Sequence, residues 1–368
     1  MKKIAVITST RADWSLFYPL VQALEKRGCK PLIIATYAHL LPEMGDTIQE
    51  MVEDGYPPIM SVPARRNAEE SVADTATGFS KAFRFLKPDV AVVLGDRVEL
   101  MGVASAALVG HIPLAHIAGG TVSEGAIDDR VRNAISQLAQ YHFPETEKGK
   151  RRLVLMGARP EYIVTAGALG VYNTIHTPPM EPSELESHLN FELGPQFLLG
   201  TFHPATLHPL PAIDQMQVWI GGLKKIMSEI PDLKLLLTFP NTDTDPTPLI
   251  SLLYTLQTEC PERVRVVPSL GRVRYINAAR LAAVVAGNSS SGIVEIPSTG
   301  TPVVNVGNRQ QGRLCSKAVI HCALETDDIA AALSRALTTE SKLRAEEMPN
   351  PYFKPDTPDI IADALIRI

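Results

Sequence analysis

The stretch Gly287–Arg313, GNSSSGIVEIPSTGTPVVNVGNRQQGR, gathers hydroxyls, backbone amides, a carboxylate and two guanidiniums in one short span. It follows LAAVVAG, an apolar run that reads as a buried strand. The small-residue loop Asn288-Ser289-Ser290-Ser291-Gly292 then leads into a helix-like piece carrying Glu295, and PVVNVG reads as a second strand. A strand, a Ser/Gly loop and a helix start place orphan N–H groups and hydroxyls around one point, and the helix dipole makes that point attractive to a phosphate. Arg309 and Arg313 add charge-assisted donors to the same phosphates. Glu295 lies far enough into the helix to bond a sugar hydroxyl instead. A plain βαβ turn with serine caps is the alternative, and the arginine pair weighs against it.

Other polar residues gather at the carboxyl ends of the predicted strands. Thr10, Arg11, Asp13 and Ser15 follow KKIAVITS, and Gly95, Asp96 and Arg97 follow DVAVVL. Gly119, Gly120 and Thr121 follow IPLAHIA, with Glu124, Asp128 and Asp129 on the entry to the next helix. His203 and Pro204 follow FLLGT, and Asn241 and Asp243 follow LLLTFP. Each has a structural alternative: Asp96 as a helix cap, Asp128 and Asp129 as acidic load on a helix start, His203 as a satisfied structural histidine. His116, inside an apolar strand, reads as core, and the run KGKRR at Lys148–Arg152 as a solvated helix face. GxSxG, HExxH and GxxxxGK[ST] are absent, and GxGxxG is missing after the first strand, which weakens a nicotinamide reading. The chemistry suggested is acid–base work by carboxylates on a ligand held by its phosphates.

The elements that must position these groups alternate. In the first half, the strands KKIAVITS, KPLIIATYA, DVAVVLGD and IPLAHIAGG are separated by helical patterns such as SLFYPLVQALEKRG and ELMGVASAALVG. That order implies a parallel, doubly wound sheet, and the near-continuous apolar strands suit a sheet covered on both faces. The Pro-rich stretch His176–Ser183, HTPPMEPS, reads as a linker. A second series follows in QFLLGTFHP, LKLLLTFPN, RVRVVPSL, LAAVVAGN and PVVNVG. The expectation is an α/β chain with one domain over 1–175, a second over 184–355, and a final helix over 356–368 that returns to the first. Two such domains face to face would form a central cleft at the carboxyl ends of both sheets.

Composition narrows the partners. With 368 residues, two domains of roughly 150 to 200 residues fit the size prior. A net charge of −5 argues against general nucleic-acid or anionic-membrane binding. Cys29, Cys260, Cys315 and Cys322 show no CxxC spacing, so reduced thiols and no metal site are expected. The apolar run Ile4–Thr8 is too short for a signal-peptide core, and no run approaches membrane-spanning length, so a cytoplasmic location is expected.

Taken in order, TSTRADWS, GDRVEL, HIAGG with TVSEGAIDDRVRNAI, TFHPAT, TFPNTD and GNSSSGIVEIPSTGTPVVNVGNRQQGR resemble the hydrolysing UDP-N-acetylglucosamine 2-epimerases of the bacterial sialic-acid and legionaminic-acid pathways and their animal bifunctional relative. The likeness covers nearly the whole chain. It implies two Rossmann-like domains in the GT-B arrangement with UDP between them. It implies that Ser289 and Ser290 hold the diphosphate with Arg11 and Arg309, that Glu295 binds the ribose, and that Tyr275 packs near the uracil. Arg97, His203 and Asn241 would contact nucleotide or sugar, with Ser15, Gly292 and Arg313 in the same binding set. Asp96, Asp128 and Asp129 match carboxylates of the catalytic cleft, and Glu124 and His203 complete the candidate catalytic group. The implied reaction eliminates UDP to a 2-acetamidoglucal and then adds water, giving a C2-inverted sugar such as ManNAc. It uses no metal and no cofactor beyond UDP within substrate and product, and relatives imply a homodimer or homotetramer. The chain departs from the family at Thr121, where relatives carry an acid after the two glycines, and at Asn133, where they carry His. A non-epimerising hydrolase, a GT-B glycosyltransferase and a non-catalytic nucleotide-sugar binder are the alternatives.

Overall fold

The computed structural model of the chain describes residues 1–41, 47–240 and 246–368. These form two compact units, one of Met1–Thr121, Asp128–Asn173 and Lys354–Ile368, the other of Val122–Ile127 and Thr174–Phe353. The short segment Val122–Ile127, expected with the first domain, therefore groups with the second.

The first unit holds strands β1 (Lys3–Thr8), β2 (Lys30–Thr36), β3 (Met60–Val62), β4 (Val90–Leu94), β5 (Leu114–Ile117) and β6 (Tyr141–Phe143), all parallel, in the order β3-β2-β1-β4-β5-β6. The second unit holds β7 (Phe197–Thr201), β8 (Lys234–Thr238), β9 (Val264–Val267), β10 (Val284–Gly287), β11 (Val303–Val306) and β12 (Ile320–Cys322), in the order β12-β11-β10-β7-β8-β9. Both follow the doubly wound pattern in which the fourth strand returns beside the first. The point where the order reverses lies between β1 and β4 in one sheet and between β7 and β10 in the other, and in such sheets ligands bind outside the carboxyl ends of those two strands.

The strands read as unbroken apolar runs because both faces are covered. Ile4 and Val6 pack with Phe17 and Leu20 of the helix Arg11–Lys26, while Ala5 and Ile7 pack on the opposite face with Phe79 and Val103. That helix starts with a reciprocal capping box between Thr10 and Asp13. The helix Thr357–Arg367 packs on it through Ile361 and Leu365 and is tied to Arg27 by Asp359 at 2.6 Å and Asp363 at 2.5 Å. In the second unit, Trp219 of the helix Ala212–Glu229 stacks on Phe202 at 5.6 Å over a core containing Leu198, Leu235 and Leu237.

The Pro-rich stretch is not a bare linker. Asn277 donates to the Pro178 carbonyl and accepts from the Met180 amide at 3.0 Å each, and Arg280 donates to the carbonyls of Thr174 and Thr177. The helix Gly271–Leu281 thus fastens it.

Gly287 ends β10 at φ 139°, and a Cβ there would lie 1.8 Å from the carbonyl oxygen of Thr201, its partner in β7. Gly287→Ala should cost at least about 2 kcal/mol, through backbone strain plus a forced separation of the two strands. Chemical denaturation of the purified variant checks this, and an unchanged midpoint would contradict it.

Three histidines of the first unit are buried. His116 lies between Ser136 Oγ at 2.9 Å and the Gly95 carbonyl at 2.7 Å, so Nε2–H donates to the carbonyl and Nδ1 accepts from the hydroxyl. Burial pushes His39, His116 and His142 down to about 4 from the ordinary 6.5. Their folded values lie below the unfolded one, so on acidification the unfolded chain takes up protons first. Stability should fall between about pH 6.5 and 4, by about 1.4 kcal/mol per pH unit for each histidine. Urea midpoints across that range test the sign, and a rise on acidification would contradict it.

Candidate functional site

In the second unit, the loop after β10 is built around Asn288, 2% exposed. Its carboxamide accepts from the His203 amide and donates to the His203 carbonyl, both at 2.7 Å. Its backbone carbonyl accepts from Gln310 Nε2 at 2.9 Å and Arg309 Nη1 at 3.3 Å. Asn288 therefore joins the loops after β7, β10 and β11, and it places Arg309 next to the serine turn.

Ser289 caps the helix Ser290–Val294, its hydroxyl accepting from the Ser291 amide. Ser291 Oγ donates to Ser289 Oγ at 3.1 Å and lies 2.7 Å from the Tyr275 phenol. Burial pushes Tyr275 up to about 12, so the phenol keeps its proton. Thr201, Tyr275, Ser289, Ser291, Gly292 and Asn305 line a small cavity behind the turn. Ser290 stands exposed at the front.

Two expectations change here. The helix after the loop is five residues long and Glu295 is its C-cap, so Glu295 is not set deep in a helix. So short a helix adds little dipole; the attraction for an anion comes from local N–H groups, hydroxyls and guanidiniums. Glu124 lies beside the Arg309–Arg313 loop: its amide donates to the Gln311 carbonyl at 3.1 Å, and a Cβ on Gly312 would meet its carboxylate at 2.8 Å. Chain proximity grouped Glu124 with Asp128, but the fold groups it with the guanidiniums. Arg313 Nε is buried with no partner among the described residues. Desolvation by burial of the ring, reinforced by the Arg309 charge, pushes His203 down to about 3, so it is neutral at physiological pH.

The first unit carries a separate charge network around Thr121. Arg132, 1% exposed, donates to the Thr121 carbonyl at 2.9 Å, pairs with Asp96 and lies 3.7 Å from Asp129. Arg152 donates to the same carbonyl at 3.1 Å and grips Asp129 with two bonds, at 2.9 and 3.1 Å. The Thr121 hydroxyl donates to Glu145 at 3.2 Å, and Asn133 donates to Asp129 at 3.2 Å. Asp96 is thus an ion-pair partner rather than a helix cap, and Asp129 does more than load the start of the helix Asp128–Leu138. Arg152 overturns the reading of KGKRR as a purely solvated face, because its guanidinium turns toward Asp129.

The sequence reading passed over Arg132, Arg152 and Glu145. The signal for Arg132 was its position three residues after Asp129, on the same helix face. Nothing local marked Arg152 or Glu145, whose partners come from elsewhere in the chain.

Other candidates are placed as follows. Arg11 pairs with Glu50 at 2.5 Å, and Ser15 Oγ donates back to the Arg11 carbonyl at 3.1 Å, so that hydroxyl serves its own helix. Arg97 pairs with Glu99 at 3.4 Å and lies 6.0 Å over the Tyr37 ring. Asn241 and Asp243 lie outside the described residues. Among the described residues, no group of three or more His, Cys, Asp or Glu side chains is placed to hold a metal, and no helix is long and apolar enough to cross a membrane.

Residues 22–366 match the family described as UDP-N-acetylglucosamine 2-epimerase. A Campylobacter jejuni protein named GDP/UDP-N,N'-diacetylbacillosamine 2-epimerase (hydrolyzing) is 32% identical over 347 residues, 93% of this chain and 89% of its own. A Legionella pneumophila UDP-N,N'-diacetylbacillosamine 2-epimerase (hydrolyzing) is 32% identical over 344 residues, 92% of this chain and 89% of its own. The structure of Methanocaldococcus jannaschii UDP-GlcNAc 2-epimerase in complex with UDP-GlcNAc and UDP matches with a TM-score of 0.81 at 18% identity, covering 100% of both chains, which establishes a shared GT-B-like fold class. With two Rossmann-like parallel sheets and a family match over nearly its full length, the chain belongs to the UDP-N-acetylglucosamine 2-epimerase family of enzymes.

Proposed function

We propose that this enzyme is a hydrolysing C2-epimerase of a UDP-2-acetamido sugar, UDP-GlcNAc or a 2,4-diacetamido analogue, releasing UDP and a free C2-inverted amino sugar. The observation that carries it is the anion-ready turn after β10: Ser289 and Ser290 beside Arg309, with Arg313 on the next loop, its Nε buried with no partner among the described residues, in a chain of this family. Two relatives at 32% identity carry names specifying a diacetamido sugar, which favours that class of substrate.

The chemistry divides by residue type. A carboxylate removes the C2 proton while the C1–O bond breaks and UDP departs, leaving a 2-acetamidoglycal. Water then adds at C1, and a proton returns to the other face of C2. Ser289, Ser290, Arg309 and Arg313 stabilise the departing diphosphate by charge-assisted bonds, with Gly292 in the same turn; Arg11 and Ser15, in the first unit, are assigned to the nucleotide on the family resemblance. Glu295 takes the ribose and Tyr275 packs near the uracil, while Arg97 and Asn241 are assigned to nucleotide or sugar on the family resemblance alone. His203, being neutral, contributes a hydrogen bond rather than a charge.

Asp96, Asp128 and Asp129 of the first unit remain candidate carboxylates, with Glu124 a separate candidate beside the Arg309–Arg313 loop of the second; Asp96 and Asp129 also hold Arg132 and Arg152 in place. We assign Glu145 to this group: bonded to the Thr121 hydroxyl, it keeps a carboxylate at the point where the family resemblance expects an acid. The scheme needs no metal or cofactor, the nucleotide sugar is the partner, and a homodimer or homotetramer is the expected assembly.

Incubation with UDP-GlcNAc and UDP-2,4-diacetamido sugars in D₂O, followed by NMR, should show UDP release with deuterium at C2 of the free sugar. UDP release without deuterium would mean simple hydrolysis, sugar transfer to an added acceptor a glycosyltransferase, and binding without turnover a nucleotide-sugar binder. Glu145→Gln should lower kcat by about 10²-fold with UDP affinity intact; an unchanged kcat removes Glu145 from the mechanism. Ser290→Ala, at an exposed position, should weaken UDP binding by about 1–3 kcal/mol in calorimetry, and equal affinity would contradict the placing of the diphosphate.

A further inference from the structure

We propose that Cys315 is a polarised, accessible thiol, with His321 as its base and Asn305 orienting that base, and that it reacts with low-molecular-weight disulfides of the glutathione class. Cys315 Sγ lies 3.4 Å from His321 Nε2, and His321 Nδ1 lies 3.2 Å from the Asn305 carboxamide. Asn305 and His321 are paired across β11 and β12, so the base and its orienting group are held by adjoining strands rather than by loops. The order thiol, imidazole, carboxamide is one that activates cysteine nucleophiles on unrelated folds.

Asn305 itself holds an unused acceptor. It is 4% exposed, and its Oδ1 is buried without a partner among the described residues. The carboxamide presents its nitrogen to the ring, and a half-turn presents Oδ1 instead, since amide oxygen and nitrogen are assigned from the network. In that orientation Oδ1 accepts from Nδ1–H. It then stabilises the imidazolium that forms when the thiol proton moves to Nε2. The unpartnered acceptor is thus the group the charged state of the pair requires.

Access and selectivity follow from burial. Cys315 is half-buried and His321 is exposed, so a small disulfide can reach the sulfur. Cys29 is buried, and burial pushes Cys322 up to about 12. Cys260, half-exposed just past the helix Thr247–Glu259, is an internal reference thiol.

In the exchange, the Cys315 proton passes to His321 Nε2 and the thiolate attacks one sulfur of the disulfide. The Cys315–sulfur bond forms as the original S–S bond breaks, and the departing thiolate takes the proton from His321. The disulfide is the oxidant; one half of it is released as thiol, and the cysteine ends as a mixed disulfide.

The test is incubation of the full chain with oxidised glutathione at neutral pH, with peptide mass spectrometry following each cysteine over time. Cys315 should form the mixed disulfide about tenfold faster than Cys260 in the same sample, since an unassisted thiol is only a few per cent thiolate near pH 7. His321→Ala should bring Cys315 down to the Cys260 rate while Cys260 is unaffected, which separates loss of activation from loss of fold. The wild-type comparison stands even if that variant does not fold. Labelling of Cys260 at an equal or faster rate in the wild type, or an unchanged Cys315 rate in a folded His321→Ala variant, would overturn the proposal.

Discussion

The Asn288 carboxamide closes two bonds with the backbone of His203 while its own carbonyl takes Gln310 and Arg309. The serine turn of the second unit, proposed to hold the diphosphate, depends on this joint. Its strength comes from burial: an amide 2% exposed cannot trade these bonds for water, so losing a partner would leave polar groups stranded. Gly287 makes the joint possible, because only a residue without Cβ lets β10 approach Thr201 closely enough for Asn288 to reach across.

The first unit solves a different problem. Arg132 is nearly fully buried, and a guanidinium there is tolerable only with its partners in place. Asp96, Asp129 and the Thr121 carbonyl supply them, and Arg152 adds a second cation on Asp129 and the same carbonyl. This arrangement ties the loop after β5 to Arg132, Arg152 and Glu145. It also explains how Thr121 is accommodated: the hydroxyl meets Glu145, and the backbone carbonyl carries the two arginines.

The alternation of apolar strands with helices was legible because a parallel sheet buried on both faces leaves a strong compositional trace. The serine turn and the polar residues beyond each strand were legible because ligands in such sheets collect at the carboxyl ends. The three-residue strands β3, β6 and β12 are too short to show a period. Arg152 looked solvated because a charge run carries no mark of which member turns inward. Glu124 was grouped with Asp128 by chain proximity, whereas Gly125 packs against the Asn308 backbone so closely that a Cβ would lie 2.4 Å from its carbonyl oxygen. The Cys315–His321–Asn305 grouping joins a loop to two strands, and no linear motif spells it out.

The central claim is that the Ser289–Ser291 turn receives a pyrophosphate. The most direct measurement is a crystal structure of the enzyme with UDP. The account predicts diphosphate oxygens within hydrogen-bond distance of Ser289 or Ser290, with the Arg309 guanidinium on the same anion. UDP bound elsewhere, with that turn unchanged, would contradict it.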